Sequence, residues 1–131
     1  MNKNAEIINV MCEWITLYQK GISLKEYLNE IHVSTVAIYG FGKIGRMIVQ
    51  ELRDSNITVK YVIDKNADKF KVDVPIITYE DIKEQVDLVI VTVVGADESE
   101  AICDVIRREK KMNALSFYEC LIEIPWYLIN S

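Results

Sequence analysis

Three glycines and one acid carry the clearest chemical signal in this sequence. The glycines stand in Val36-Ala-Ile-Tyr-Gly40-Phe41-Gly42-Lys43-Ile44-Gly45-Arg-Met-Ile-Val49, and the acid ends Tyr61-Val-Ile-Asp64. An apolar, strand-like run precedes Gly40 and a helical pattern follows Gly45, which is the context this spacing needs. Gly40 permits a tight turn from strand to helix. Gly42 has no side chain, so a pyrophosphate can approach the backbone, and Gly45 lets the helix pack closely on the strand. The helix that opens there offers unpaired amides and a partial positive charge to an anion.

Asp64 lies 24 positions after Gly40, near the ~20-residue spacing at which an acid ending the next strand bonds a ribose diol. A carboxylate there repels a 2′-phosphate and favours NAD over NADP. Lys65 follows at once and can offset that repulsion, so NADP stays open. The candidate cofactor-binding residues are Gly40, Phe41, Gly42, Lys43, Ile44, Gly45, Asp64, Lys65 and Thr92. The bland alternative is a tight strand–helix turn beside an unrelated loop acid.

No catalytic residue stands out. A Tyr-x-x-x-Lys pair, in which lysine lowers a tyrosine pKa, occurs three times, as Tyr39/Lys43, Tyr61/Lys65 and Tyr79/Lys83. The first lies in the glycine loop and the second crosses a strand end. The third follows the wrong strand, and all three read as coincidence. No serine or cysteine sits on a nucleophile elbow. Asp97, Glu98 and Glu100 read as favourable charge at a helix start. The single histidine, His32, reads as a linker residue before the first strand, and no metal site is expected.

The elements that must hold this loop follow from periodicity. Residues 4–19 place Ile7, Ile8, Met11, Trp14, Ile15 and Tyr18 at helical spacing. Gly21 stops that helix, and a capping box from Ser23 to Glu26 starts a second one through about Ile31. Strands are expected at 35–39, 59–63, 74–77, 86–93 and 114–117. Helices are expected at 43–54, in a short turn from Thr78, and at 98–110 behind an Asp97 cap. In the last, Ala101, Ile102, Val105 and Ile106 form the expected buried stripe. Alternation of strands and helices predicts an α/β fold, a doubly wound parallel sheet of about five strands in the order 3-2-1-4-5. The nearly all-apolar run 86–93 suits a sheet covered on both faces. The chain divides into a helical lead-in, 1–32, a nucleotide-binding domain, 33–120, and an apolar tail, 121–131, containing Pro125 and Trp126.

Bulk properties narrow the partners. The 131 residues carry a net charge of −5, which opposes binding to nucleic-acid backbones or anionic lipid. No apolar run approaches the ~20 residues that span a bilayer. The three cysteines, Cys12, Cys103 and Cys120, match no metal or redox spacing and read as small buried groups in a reducing cytoplasm. The apolar face of the first helix needs a cover, and the domain itself, a second subunit and a partner enzyme are the three candidates.

The runs Ile-Tyr-Gly-Phe-Gly-Lys-Ile-Gly45, Tyr-Val-Ile-Asp-Lys-Asn66, Val-Pro-Ile-Ile-Thr-Tyr-Glu-Asp81 and Val-Asp-Leu-Val-Ile-Val-Thr92 carry a family resemblance. Residues 33–120 resemble the small Rossmann domains of bacterial surface-polysaccharide clusters, labelled nucleoside-diphosphate-sugar epimerase-like. They are also similar to the N-terminal domain of sialic-acid-type sugar acyltransferases. The resemblance implies a Rossmann-like fold that holds NAD, NADP or a nucleotide-sugar. The chain lacks the substrate half of an epimerase and the hexapeptide-repeat domain that transfers acyl groups. The leading expectation is therefore an accessory nucleotide-binding module. The alternatives are an oxidoreductase or epimerase completed by oligomerisation, and an interaction domain that has lost its ligand.

Overall fold

The computed structural model describes residues 3–66 and 73–123. Five parallel strands form one sheet: β1 (Thr35–Tyr39), β2 (Thr58–Ile63), β3 (Ile76–Ile77), β4 (Leu88–Val91) and β5 (Ala114–Ser116). Their order is β3-β2-β1-β4-β5, as the alternation of elements predicts. The helices are α1 (Lys3–Gln19), α2 (Leu24–Glu30), α3 (Lys43–Leu52), α4 (Ala96–Lys110) and α5 (Phe117–Ile122), with a 3₁₀ turn at Tyr79–Asp81. The Rossmann-like α/β fold with a helical N-terminus is thus established.

Side chains along each strand alternate between two cores. Val36, Ile38, Val62, Leu88 and Ile90 point to the layer of α1, α2, α3 and α5. Ala37, Tyr61, Ile63, Val89 and Val91 point to the layer of α4. Both faces are sealed, which is why β4 is apolar at every position. Because the sheet is parallel, Tyr39, Ile63, Ile77, Val91 and Ser116 end on one edge. The strand order reverses between β1 and β4, and ligands bind in the crevice at such a switch point.

Several local expectations need correction. The buried residues of α1 are Val10, Trp14 and Leu17, whereas Ile8 (60%), Ile15 (52%) and Tyr18 (67%) are exposed. The apolar arc of this helix spans about half its circumference, and periodicity does not say which half the domain covers. Trp14 decides it by packing edge-on against Phe117, ring centres 4.6 Å apart. Ser23 does precede α2, but its hydroxyl is buried and makes no cap bond. Gly95, not Asp97, is the N-cap of α4, with φ at +116°, and Asp97 lies in the first turn. On α4, Ser99, Cys103 and Ile106 are buried, while Ala101 is exposed and Ile102 and Val105 are half-buried. The fifth strand ends at Ser116, whose hydroxyl accepts the Glu119 amide at 3.0 Å and starts α5. Cys12 is exposed, because it lies on the outer side of α1. Pro125 and Trp126 fall outside the described residues, and no described helix is long and apolar enough to cross a membrane.

Candidate functional site

The three glycines do three different jobs. Gly40 turns the chain at φ +96°, and a Cβ there would stand 2.7 Å from Thr92 Oγ1. A Cβ at Gly45 would collide with the Gly40 carbonyl oxygen, so this residue sets how closely α3 approaches the strand end. Gly42 caps α3 at φ −85°, and nothing lies within 4 Å of where its Cβ would be. Open space there, above the first turn of α3, is what an approaching phosphate requires.

The loop is tied down from both sides. The Gly40 amide donates to the Ile63 carbonyl at 2.8 Å. The Thr92 hydroxyl lies 2.8 Å from the Tyr39 carbonyl and 3.1 Å from that of Gly40, so it clasps the turn from β4. Asp64 accepts the Phe41 amide on Oδ2 at 2.9 Å and the Asn66 amide on Oδ1 at 2.8 Å. The acid therefore buttresses the loop, and the Phe41 amide is engaged with it rather than free for a phosphate. Each carboxylate oxygen still has a lone pair for a hydroxyl donor. The Phe41 side chain is buried, with the Arg46 guanidinium 5.2 Å above its ring. Ile44 is buried in the same core, and Lys43 and Lys65 are exposed.

A cleft of about 840 Å³ opens beside Gly40 and Asp64. Ile63 lies at its base, Thr78 and Tyr79 form one wall, and Ala101, Ile102 and Val105 of α4 form the other. Periodicity alone puts that α4 stripe in the core. Its three uncovered members instead face an apolar slot next to Asp64, and a slot of that kind suits a flat ring. The only sequence signal was a stripe wider than the buried contact needs.

The model for the NAD-binding domain of D-isomer specific 2-hydroxyacid dehydrogenases matches residues 6–115, or 110 of the 131 residues. The chain belongs to that family. NAD is accordingly its cofactor, and the structure brings Gly40, Asp64 and the cleft together. No curated protein and no solved structure matches significantly.

Other side chains of this NAD-binding domain bear on chemistry. The Tyr79 hydroxyl donates to Glu109 at 2.6 Å. Burial and that carboxylate push its pKa up to about 12, the opposite of an activated tyrosine. Burial also raises Tyr61, whose hydroxyl donates to the Glu84 carbonyl at 2.7 Å. Burial pushes the Cys103 thiol up to about 11 and raises Cys120 as well, so neither is a nucleophile at neutral pH. His32 precedes β1 and so lies at the strand edge opposite the glycine loop.

Proposed function

We propose that this domain holds NAD(H) as an accessory binding module and brings no complete catalytic machinery of its own. One observation carries the reading: the glycine loop has an open approach at Gly42 and, at Gly40, borders an apolar cleft that the buttressed acid Asp64 also lines. The adenine lies in the slot between Tyr79 and Val105, the ribose diol on Asp64, and the phosphates on the amides of residues 42–45. Thr92 and Phe41 position the loop, and Lys43 and Lys65 are the flanking cations. The acid at Asp64 favours NAD over NADP. The resemblance to polysaccharide-cluster domains supports service to nucleotide-sugar or surface-polysaccharide metabolism in the cytoplasm. The outward face of α1, with Ile8, Ile15 and Tyr18, is the surface for a partner enzyme or a second copy. The family match favours a second reading, hydride transfer completed by another subunit.

Calorimetry on two variants tests this. Gly42→Val keeps the fold, because φ is −85° and the space is open, yet blocks all phosphorylated ligands together. Asp64→Ala loses a charge-assisted bond worth about 1.5–3 kcal/mol, so NAD affinity falls by one to two orders of magnitude. NADP affinity falls less, or rises. Asp64→Ala also releases the Phe41 and Asn66 amides, a loss common to both cofactors, so ribose recognition is read from the excess loss of NAD over NADP, and equal losses would leave Asp64 only the role of holding the loop. Unchanged binding in Gly42→Val would remove the phosphate loop. In the wild type, NAD at 100 times its dissociation constant should stabilise the fold by about 2.7 kcal/mol.

A further inference from the structure

Glu51 lies in the last turn of α3, at the end remote from the glycine loop. Both of its carboxylate oxygens are shut from solvent, and neither has a hydrogen-bond partner of good geometry among the described residues. The donors turned toward it are the Trp14 indole of α1 and the Leu24 amide that opens α2. The Ser23 hydroxyl, one residue before Leu24, is also buried and unpartnered among the described residues. Three helices therefore meet around one carboxyl, and two of them are the lead-in. Of the other ionisable groups on or beside these helices, Glu13, Lys20, Lys25 and Arg53 are exposed and Glu26 is half-buried. The Tyr27 hydroxyl donates to Glu123 at 3.1 Å. None of them sets the state of Glu51: burial holds its carboxyl above the usual range, and the two donors offset only part of that.

We propose that Glu51 fastens the lead-in helices to α3 as a pH-sensitive joint, closed while its carboxyl is protonated and loosened when it ionises. A buried carboxylate with too few donors is far more costly than the neutral acid in the same place. That cost is relieved by movement of the lead-in rather than of α3. Ile48, Val49 and Leu52 fix α3 in the core, whereas α1 already turns Ile8, Ile15 and Tyr18 to solvent. Opening the joint would bare Val10, Trp14 and Leu17, an apolar face that the closed form hides. A carboxyl raised in the folded chain contributes its stability in full at acid pH and loses it as pH rises through the raised value. Asp87 has the opposite slope, because the Ser34 and Thr35 amides hold it below the usual range. Its contribution is present at neutral pH and is lost only as pH falls.

The test uses the full chain carrying Trp126→Phe, which leaves Trp14 as the one tryptophan. Trp14 fluorescence is expected to titrate with a midpoint above that of an ordinary carboxyl, and Glu51→Gln should abolish that titration. In thermal unfolding, Glu51→Gln should match its parent at pH 4 and exceed it at pH 8 by more than about 2 °C in Tm. Hydrogen exchange then locates the change. Between pH 5 and pH 8 the parent should lose protection in α1 and α2 more than in β1 and β4, and Glu51→Gln should not. A flat Trp14 titration in the parent overturns the proposal, whether or not the variant folds. So does a titration or a stability slope that persists in Glu51→Gln. Protection lost evenly over the whole chain would also overturn it, since Glu51 would then weaken the fold at large and fasten no joint.

Discussion

Helices α3 and α4 both follow a strand whose end lies at the crest of the sheet, and each shows an apolar stripe. On α3, whose periodicity puts Ile44, Met47, Ile48 and Leu52 on one face, the side toward the sheet is sealed: Ile44, Ile48, Val49 and Leu52 are buried, and Met47, at 41% exposed, falls outside it. On α4 only Ser99, Cys103 and Ile106 are buried, and Ala101, Ile102 and Val105 line a cleft. Gly45 explains part of the contrast, since its missing Cβ lets α3 sit directly on the Gly40 carbonyl. The loop before α4 instead steps out through Val93, Val94 and Gly95, the last at φ +116°. A helix pressed on the sheet makes core. A helix that packs over β4 and β5, as α4 does, leaves a slot on its side toward β2 and β3.

Three substitutions would break or sharpen that contrast. Ile48→Ala, at a fully buried position, should cost about 2–5 kcal/mol in denaturant unfolding. NAD affinity of the folded protein should stay close to wild type. A cost below about 1 kcal/mol would mean that the α3 side is not the sealed one.

Ala101→Trp tests the other helix. The indole should occupy the cleft, so NAD affinity should fall more than about tenfold, equivalent to ~1.4 kcal/mol. Unfolding stability should change by less than about 1 kcal/mol, because the position is exposed in the free protein. A large stability loss with unchanged NAD binding would make the α4 stripe a core element, as periodicity alone suggested.

The smallest effect is expected on α1, whose arc is divided in the same way. Ile15→Ser should shift monomer stability by no more than about 0.5 kcal/mol, since the side chain is 52% exposed. Sedimentation of the same variant sharpens the point. Weaker self-association than wild type would assign the outer face to a second copy, and unchanged association would leave it to a partner enzyme.

The sheet order and the closeness of Asp64 to the glycine loop were both legible in the sequence. Each rests on short-range chemistry. Strand β1 was legible to the residue, because an apolar run that ends in glycine has few other readings. Gly40, Gly42, Gly45 and Asp64 were legible because their spacing is fixed by backbone geometry between adjacent strands. Tertiary structure alone decided which half of a broad apolar arc is buried. Val10 and Leu17, not Ile8 and Ile15, meet the domain, because Trp14 locks onto Phe117, 103 positions away in the chain. It also decided that Asp64 holds the Phe41 amide and that Thr92 clasps the turn. The cleft itself depends on how far α4 stands from β2 and β3. Periodicity reports which residues are apolar, but burial depends on the distance to the next layer, and that distance is set by side chains far apart in sequence.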